Sequence, residues 1–220
     1  MIRTHTQWRS AFLTTAIVAA LVAIGGVAKA APTLNVNASA AMGGSSQGLQ
    51  ATPDGSLDPN GDVYVQDDTP ANEGHYHFSF YFDPNSFDPG EAQNHKRIRL
   101  FIGYKDNSGS LQRAIVIVMI RNGGSYTIFA RPRTDDGGTA DTGSYAITDG
   151  PHLLDFDLTT ATNGSSADGV LSMSIDGVLK ETKTGIQNNL RKIDTVRLGA
   201  MTVKGGASGS IYLDEFKSNR

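Results

Sequence analysis

The chain has 220 residues, with 19 Lys and Arg against 22 Asp and Glu, and no cysteine. Its net charge of −3 argues against nucleic acid or an anionic membrane surface as partner. The absence of cysteine excludes disulfides, iron–sulfur clusters and thiolate zinc sites, so the fold must rest on a hydrophobic core, a metal of another kind, or both.

Residues 1–30 read as a secretory signal peptide. Arg3 and Arg9 precede a nearly unbroken apolar run from Ala11 to Val27, and Ala28-Lys29-Ala30 supplies the small residues of a cleavage site before Ala31. That run is short for a spanning helix and carries Thr14, Thr15, Gly25 and Gly26. Cleavage would remove three bases and no acid, leaving 16 bases against 22 acids, a charge of −6. The expected product is a bacterial protein exported to the periplasm or beyond, with no membrane contact after cleavage.

Residues 31–47 are rich in Ala, Gly, Ser and Asn and read as a flexible lead-in. Leu49-Gln50-Ala51 and Val63-Tyr64-Val65 are short strands beside Pro53-Asp54-Gly55 and Asn60-Gly61 turn signals. From Glu73 to Asp83 alternation is strict: Tyr76, Phe78, Phe80 and Phe82 share one face, and His75, His77, Ser79 and Tyr81 the other. Four aromatics on one side mark a central core strand. Strands follow at Arg97–Tyr104, Gln112–Arg121 and Ser125–Arg131, joined by Asn107-Ser108-Gly109 and Asn122-Gly123-Gly124 hairpin signals. Ala114 to Ile120 is apolar on both faces, the pattern of a strand covered on both sides. Further strands are expected at Ser144–Thr148, His152–Leu158, Val170–Ile175, Val178–Lys183, Thr195–Met201 and Ser210–Phe216. About a dozen short strands, no long amphipathic helix and no repeat predict an all-β, two-sheet antiparallel sandwich.

Asp149-Gly150-x-His152, followed some twenty residues later by Asp168-Gly169-x-Leu171-x-Met173-x-Ile175-Asp176-Gly177, resembles the core of laminin-G-like, concanavalin A-like jelly-roll domains. Tyr64-Val65-x-Asp67-x-x-Pro70, Phe82-Asp83-Pro84-Asn85, Gly199-Ala200 and Gly209-x-x-Tyr212-x-Asp214-Glu215-Phe216 resemble the same group. The resemblance implies one jelly-roll domain over residues 48–220. It also implies a structural calcium ion held by Asp214 with backbone carbonyls at or near Gly48, in the oxygen-only shell that this ion favours.

Chemistry is sparse. Glycosidases on this fold carry Glu-x-Asp-x-Glu on one strand, because one carboxyl protonates the leaving oxygen while another attacks or activates water. The chain has only Glu73, Glu91, Glu181 and Glu215, none in that pattern, and Asp155-x-Asp157 is the nearest approach. Jelly-roll polysaccharide lyases need a Gln-x-His strand, and neither Gln-Ile-His nor Gln-Val-His occurs. His75 and His77 share a face at a spacing compatible with a metal, without an identifiable third ligand. The expected function is therefore a secreted, non-catalytic binding module for an extracellular carbohydrate or surface protein. Its ligand surface would comprise His75, His77, Tyr81, Arg97, Arg99, Tyr104, Arg131 and Arg133, since Tyr and Arg stack on and hydrogen-bond to sugars. Two alternatives stay open: an exported glycoside hydrolase or polysaccharide lyase with degenerate motifs, and a structural or adhesive surface protein.

Overall fold

The computed structural model describes residues 31–55 and 61–220. The expected signal peptide lies outside the described residues.

Among the described residues thirteen strands form two antiparallel sheets. In chain order they are β1 (Thr33–Asn37), β2 (Gly48–Thr52), β3 (Val63–Asp67), β4 (His75–Asp83), β5 (Arg97–Asn107), β6 (Ser110–Asn122) and β7 (Ser125–Pro132). Then come β8 (Tyr145–Ile147), β9 (His152–Thr159), β10 (Gly169–Ile175), β11 (Val178–Ile186), β12 (Thr195–Met201) and β13 (Ile211–Asn219). Sheet A has the order β1-β2-β13-β4-β9-β10-β11, and sheet B the order β3-β12-β5-β6-β7-β8. The architecture is a jelly-roll β-sandwich. Among the described residues no helix is long and apolar enough to cross a membrane.

The core lies between the sheets. Tyr76, Phe78, Phe80 and Phe82 of β4 are wholly buried, as their alternation requires, and meet Ile98, Leu100 and Phe101 of β5 and Ile115, Ile117 and Met119 of β6. Phe78 bridges the layers, stacking on Phe101 at 4.0 Å between ring centroids and on Phe156 of its own sheet at 5.1 Å. The hairpins form where Gly permits positive φ: Ser108-Gly109 (53° and 89°) and Asp176-Gly177 (54° and 74°) turn tightly enough for Asn107 to pair with Ser110 and Ile175 with Val178.

Strand β5 carries a bulge that decides which side chains share a face. The register with β6 shifts between Arg99, opposite Val118, and Phe101, opposite Ile117. Leu100 and Phe101 consequently both point into the core. Residues 97 and 99 therefore face outward before the bulge, and residues 102 and 104 face outward after it.

The flexible lead-in expected over residues 31–47 is corrected by the structure. Thr33–Asn37 pairs antiparallel with β2, from Thr33 opposite Thr52 to Asn37 opposite Gly48, and a single 3-10 turn at Ala38–Ala40 follows. Leu34 and Val36 are exposed, so β1 lacks a buried stripe to announce it; it forms as an edge strand on a neighbour placed by the rest of the fold. The Asn37 side chain accepts from the Ala40 amide at 3.1 Å and donates to Gln50 Oε1 at 2.8 Å.

Candidate functional site

The outer face of sheet B combines an apolar floor with a fringe of arginines. Ile102 and Tyr104 of β5, Val116 and Val118 of β6, Phe129 of β7 and Met201 of β12 form a second buried cluster there, with Tyr64 of β3 and Ile120 packed beside it. This is why β6 is apolar on both faces. Among the described residues no second layer covers this side, and long side chains of the same sheet cover the floor instead, their stems lying on apolar surface with charged heads outward.

Three of the arginines are aimed by different contacts. The Arg197 guanidinium lies over the rings of Tyr64 (4.5 Å) and Tyr104 (5.1 Å), and its Nε donates to Gln66 Oε1 at 2.8 Å. Arg131 lies 5.1 Å over Phe129 and donates to both Asp141 oxygens, from Nε at 2.9 and 3.0 Å and from Nη2 at 2.6 Å. Burial alone would raise the Asp141 carboxyl, but the Arg131 hydrogen bonds and charge outweigh it and hold the group below its ordinary value. Arg99 donates from Nη1 to Thr202 Oγ1. Arg97 is exposed and makes no ion pair with any described residue.

At the Arg97 end these side chains surround a hollow of about 370 Å³, lined by His95, Arg97, Arg99, Val118, Arg131 and Lys204 among others. His95 sits on the turn before β5, its amide bonded to Gly90 O at 3.0 Å. Its Nδ1 lies 2.9 Å from the Gly205 carbonyl oxygen. A carbonyl only accepts, so Nδ1 carries the proton, and in the neutral ring Nε2 is left with an open lone pair. The nearby carboxylates are engaged elsewhere: Glu91 and Asp88 pair with Arg121, and Glu91 also accepts from the Gly123 and Gly124 amides. The hollow thus offers several cations, one open imidazole nitrogen and no lining carboxylate, which suits an anionic ligand with a proton to lose.

Of the eight residues expected at a ligand surface, the structure brings five together on this face: Arg97, Arg99, Tyr104, Arg131 and Arg133. It separates the other three. His75, His77 and Tyr81 lie on the outer face of sheet A, across the sandwich, because β4 turns its aromatic side toward sheet B. There His75 Nε2 is 2.8 Å from Asp157 Oδ1 and His77 Nε2 is 2.9 Å from Asp155 Oδ2. The spacing noted for a metal and the spacing noted for a carboxylate pair thus belong to one cross-strand ladder of His–Asp contacts. Among the described residues no group of three His, Asp or Glu is arranged to hold a metal ion. Sequence reasoning passed over His95, although His95-Lys96-Arg97-x-Arg99 concentrates four basic side chains in five residues.

Asp214 does not fit the calcium shell expected of it. Asp214 Oδ2 accepts from the Met42 amide at 2.6 Å and from the Ser45 hydroxyl, and Oδ1 accepts from the Glu215 amide at 2.8 Å. N–H and O–H donors turned toward a carboxylate occupy the lone pairs that a cation would need. Gly48, whose part in that shell was its backbone carbonyl, is glycine for a steric reason: a Cβ there would lie 1.9 Å from the Ala40 carbonyl oxygen. The carboxylate still joins the two ends of the chain, by hydrogen bonds. Asp214→Ala is expected to cost about 1–3 kcal/mol by leaving those donors unmet, and the loss in melting midpoint should be the same in calcium and in chelator. A midpoint that rises with calcium in the native protein and not in the variant would restore the metal site.

No family model matches the chain, and no curated protein matches it. Solved structures do share its fold. An endo-β-1,4-glucuronan lyase from the fungus Trichoderma reesei is 13% identical, with a TM-score of 0.58 over 86% of this chain and 87% of that one. An alginate lyase from Pseudomonas aeruginosa is 14% identical, with a TM-score of 0.53 over 79% of this chain and 82% of that one. The T. cruzi calreticulin globular domain is 12% identical, with a TM-score of 0.53 over 86% of this chain and 81% of that one. At such identities the likeness is one of fold.

Proposed function

We propose that the protein is an exported polysaccharide lyase acting on a uronate-containing chain, with its reaction centre in the His95–Arg97–Arg99 hollow. This replaces the non-catalytic binding module expected from the sequence. The solved structures of this fold include glucuronan and alginate lyases, and the lyase alternative accounts better for a cationic groove with an open imidazole nitrogen. The resemblance to the concanavalin A-like group is kept as our reading of the fold's kinship.

The observation that carries the proposal is the His95 contact with Gly205, because it fixes which nitrogen is free beside Arg97 and Arg99. In β-elimination a base removes the proton at C5 of the uronate, the electron pair becomes the C4=C5 double bond and the C4–O4 bond breaks. His95 Nε2 takes that proton. The Arg97 and Arg99 guanidinium groups hold the carboxylate, where negative charge accumulates as C5 is deprotonated, and stabilise that charge more than the resting ion. O4 then takes its proton from the imidazolium, which returns the ring to its starting state. Gln93-Asn94-His95 has the Gln-x-His spacing of such lyases but lies on the 3-10 helix and turn before β5 and not on a strand, so the imidazole comes from that turn instead. A hydrolase is disfavoured, since it needs two available carboxyls, and among the described residues none lines the hollow while the nearby Asp141 is bound to Arg131.

Purified protein incubated with alginate or polyglucuronate at low salt should release products with the ultraviolet absorbance of an unsaturated uronate, and give none from a neutral glucan. The Arg97→Ala/Arg99→Ala pair should lose that activity with its circular dichroism unchanged. Failure to form unsaturated ends on any polyuronate would defeat the proposal.

A further inference from the structure

The outer face of sheet B has a second cationic hollow, at the opposite end of β5, that the proposed reaction does not use. It measures about 340 Å³ and is lined by Tyr104, Leu111, Arg113, Arg133 and Arg191. Three arginines converge there and, among the described residues, none pairs with a carboxylate within ion-pair distance. Two of them are held in place by neutral oxygens. Arg133 Nη2 donates to the Gly137 carbonyl at 2.7 Å; Arg191 donates from Nε to the Thr134 carbonyl at 3.1 Å and from Nη1 to Gln112 Oε1 at 3.0 Å. These contacts set geometry without neutralising charge. The acids of the adjoining loop form no ion pair with these arginines: Asp135 Oδ1 accepts from the Leu190 amide while its Oδ2 is buried without a hydrogen-bond partner, and Asp136 accepts from Thr134 and Gly138, with Arg191 acting on it only through its charge. Three like charges around one hollow, on a chain whose overall charge is negative, repel one another and are relieved by an anion.

We infer that Arg113, Arg133 and Arg191 form a distal subsite for a second carboxylate of the same acidic sugar chain, so that the protein takes extended polyuronates in preference to short oligomers. This rests on the lyase reading for the identity of the ligand, and on the outer face of sheet B for its path. Tyr104 lines this hollow and lies under Arg197, which makes the floor continuous from one end of β5 to the other. Tyr104 lies five positions after Arg99, on the order of 15 Å along a strand at its usual rise. That exceeds one sugar ring, so the two hollows address different units of one chain.

Arg113 is the residue to change, because its side chain makes no hydrogen bond or ion pair with the described residues and its loss leaves no buried partner unmet. Size-defined oligouronates, from disaccharide to long chain, would be titrated calorimetrically into native protein and into Arg113→Glu, with thermal melts to check folding. Long chains should lose about tenfold or more in affinity, the weight of one or two charge-assisted hydrogen bonds, while the disaccharide is unaffected. Equal affinity of long chains for both proteins, an equal loss for disaccharide and long chain, or no binding of long chains by native protein would each overturn the subsite. Binding is read apart from turnover: native protein that binds long chains through Arg113 and releases no unsaturated product upholds the subsite while the lyase reading fails.

Discussion

Replacing His95 by alanine is expected to reduce unsaturated-product formation by about 10²–10⁴-fold, the usual contribution of a positioned general base, while leaving the melting midpoint within a degree or two of native. The imidazole is partly exposed and reaches only the Gly205 carbonyl, so little of the fold depends on it. His95→Asn separates chemistry from positioning, because the amide Nδ2 can stand where Nδ1 stood and donate to the same carbonyl, yet has no basic nitrogen. Both variants should bind a polyuronate with near-native affinity if Arg97 and Arg99 hold the carboxylate. Activity retained in the asparagine variant would remove His95 from the chemistry and leave it a turn-forming residue.

The largest structural effect is expected at Phe78. Truncation to alanine removes a wholly buried ring that stacks on Phe101 of the opposite sheet and Phe156 of its own. Loss of a buried Phe costs about 3–5 kcal/mol, since neighbours in a close-packed core relax only partly into the space. Against the roughly 5–15 kcal/mol that holds a typical domain, this is a large share, and for a chain of this length it lowers the midpoint by on the order of 10 °C. Chemical denaturation should show the same loss with an unchanged slope. A loss below 1 kcal/mol would mean that the two sheets do not meet through this ring. Reductant, by contrast, has no cysteine on which to act.

The strands that pack on both partners were legible in the sequence because their chemistry is local. The aromatic alternation of β4 and the turns at Ser108-Gly109, Gly123-Gly124 and Asp176-Gly177 all fold as their residues dictate. What escaped depends on residues far apart in the chain. Strand β1 has no buried stripe and exists through β2. The Asp214 carboxylate matched a position associated with calcium, but its partners are Met42 and Ser45, more than 160 positions earlier, in the segment expected to be loose. Arg97 and Arg99 could be assigned to the outer face from their alternation with Ile98 and Leu100, whereas His95 draws its proposed role from a carbonyl 110 positions later. His75 and His77 were grouped with the arginines because simple alternation says which side chains share a face and not which of two sheets that face belongs to.

The bulge at Leu100 gives the groove an adjustable length. A strand without Leu100 would alternate strictly, and every remaining side chain of β5, from Arg97 through Tyr104, would keep the face it has now. The extra residue therefore changes no chemistry; it sets how far apart the two cationic ends stand, in a step of about 3.3 Å. Spacing along the groove and the identity of its contacts are thus encoded separately, the first by the count of residues between Arg99 and Ile102 and the second by the residues themselves. A lineage could match sugars of different repeat length by gaining or losing one inward-facing residue, without disturbing a single arginine.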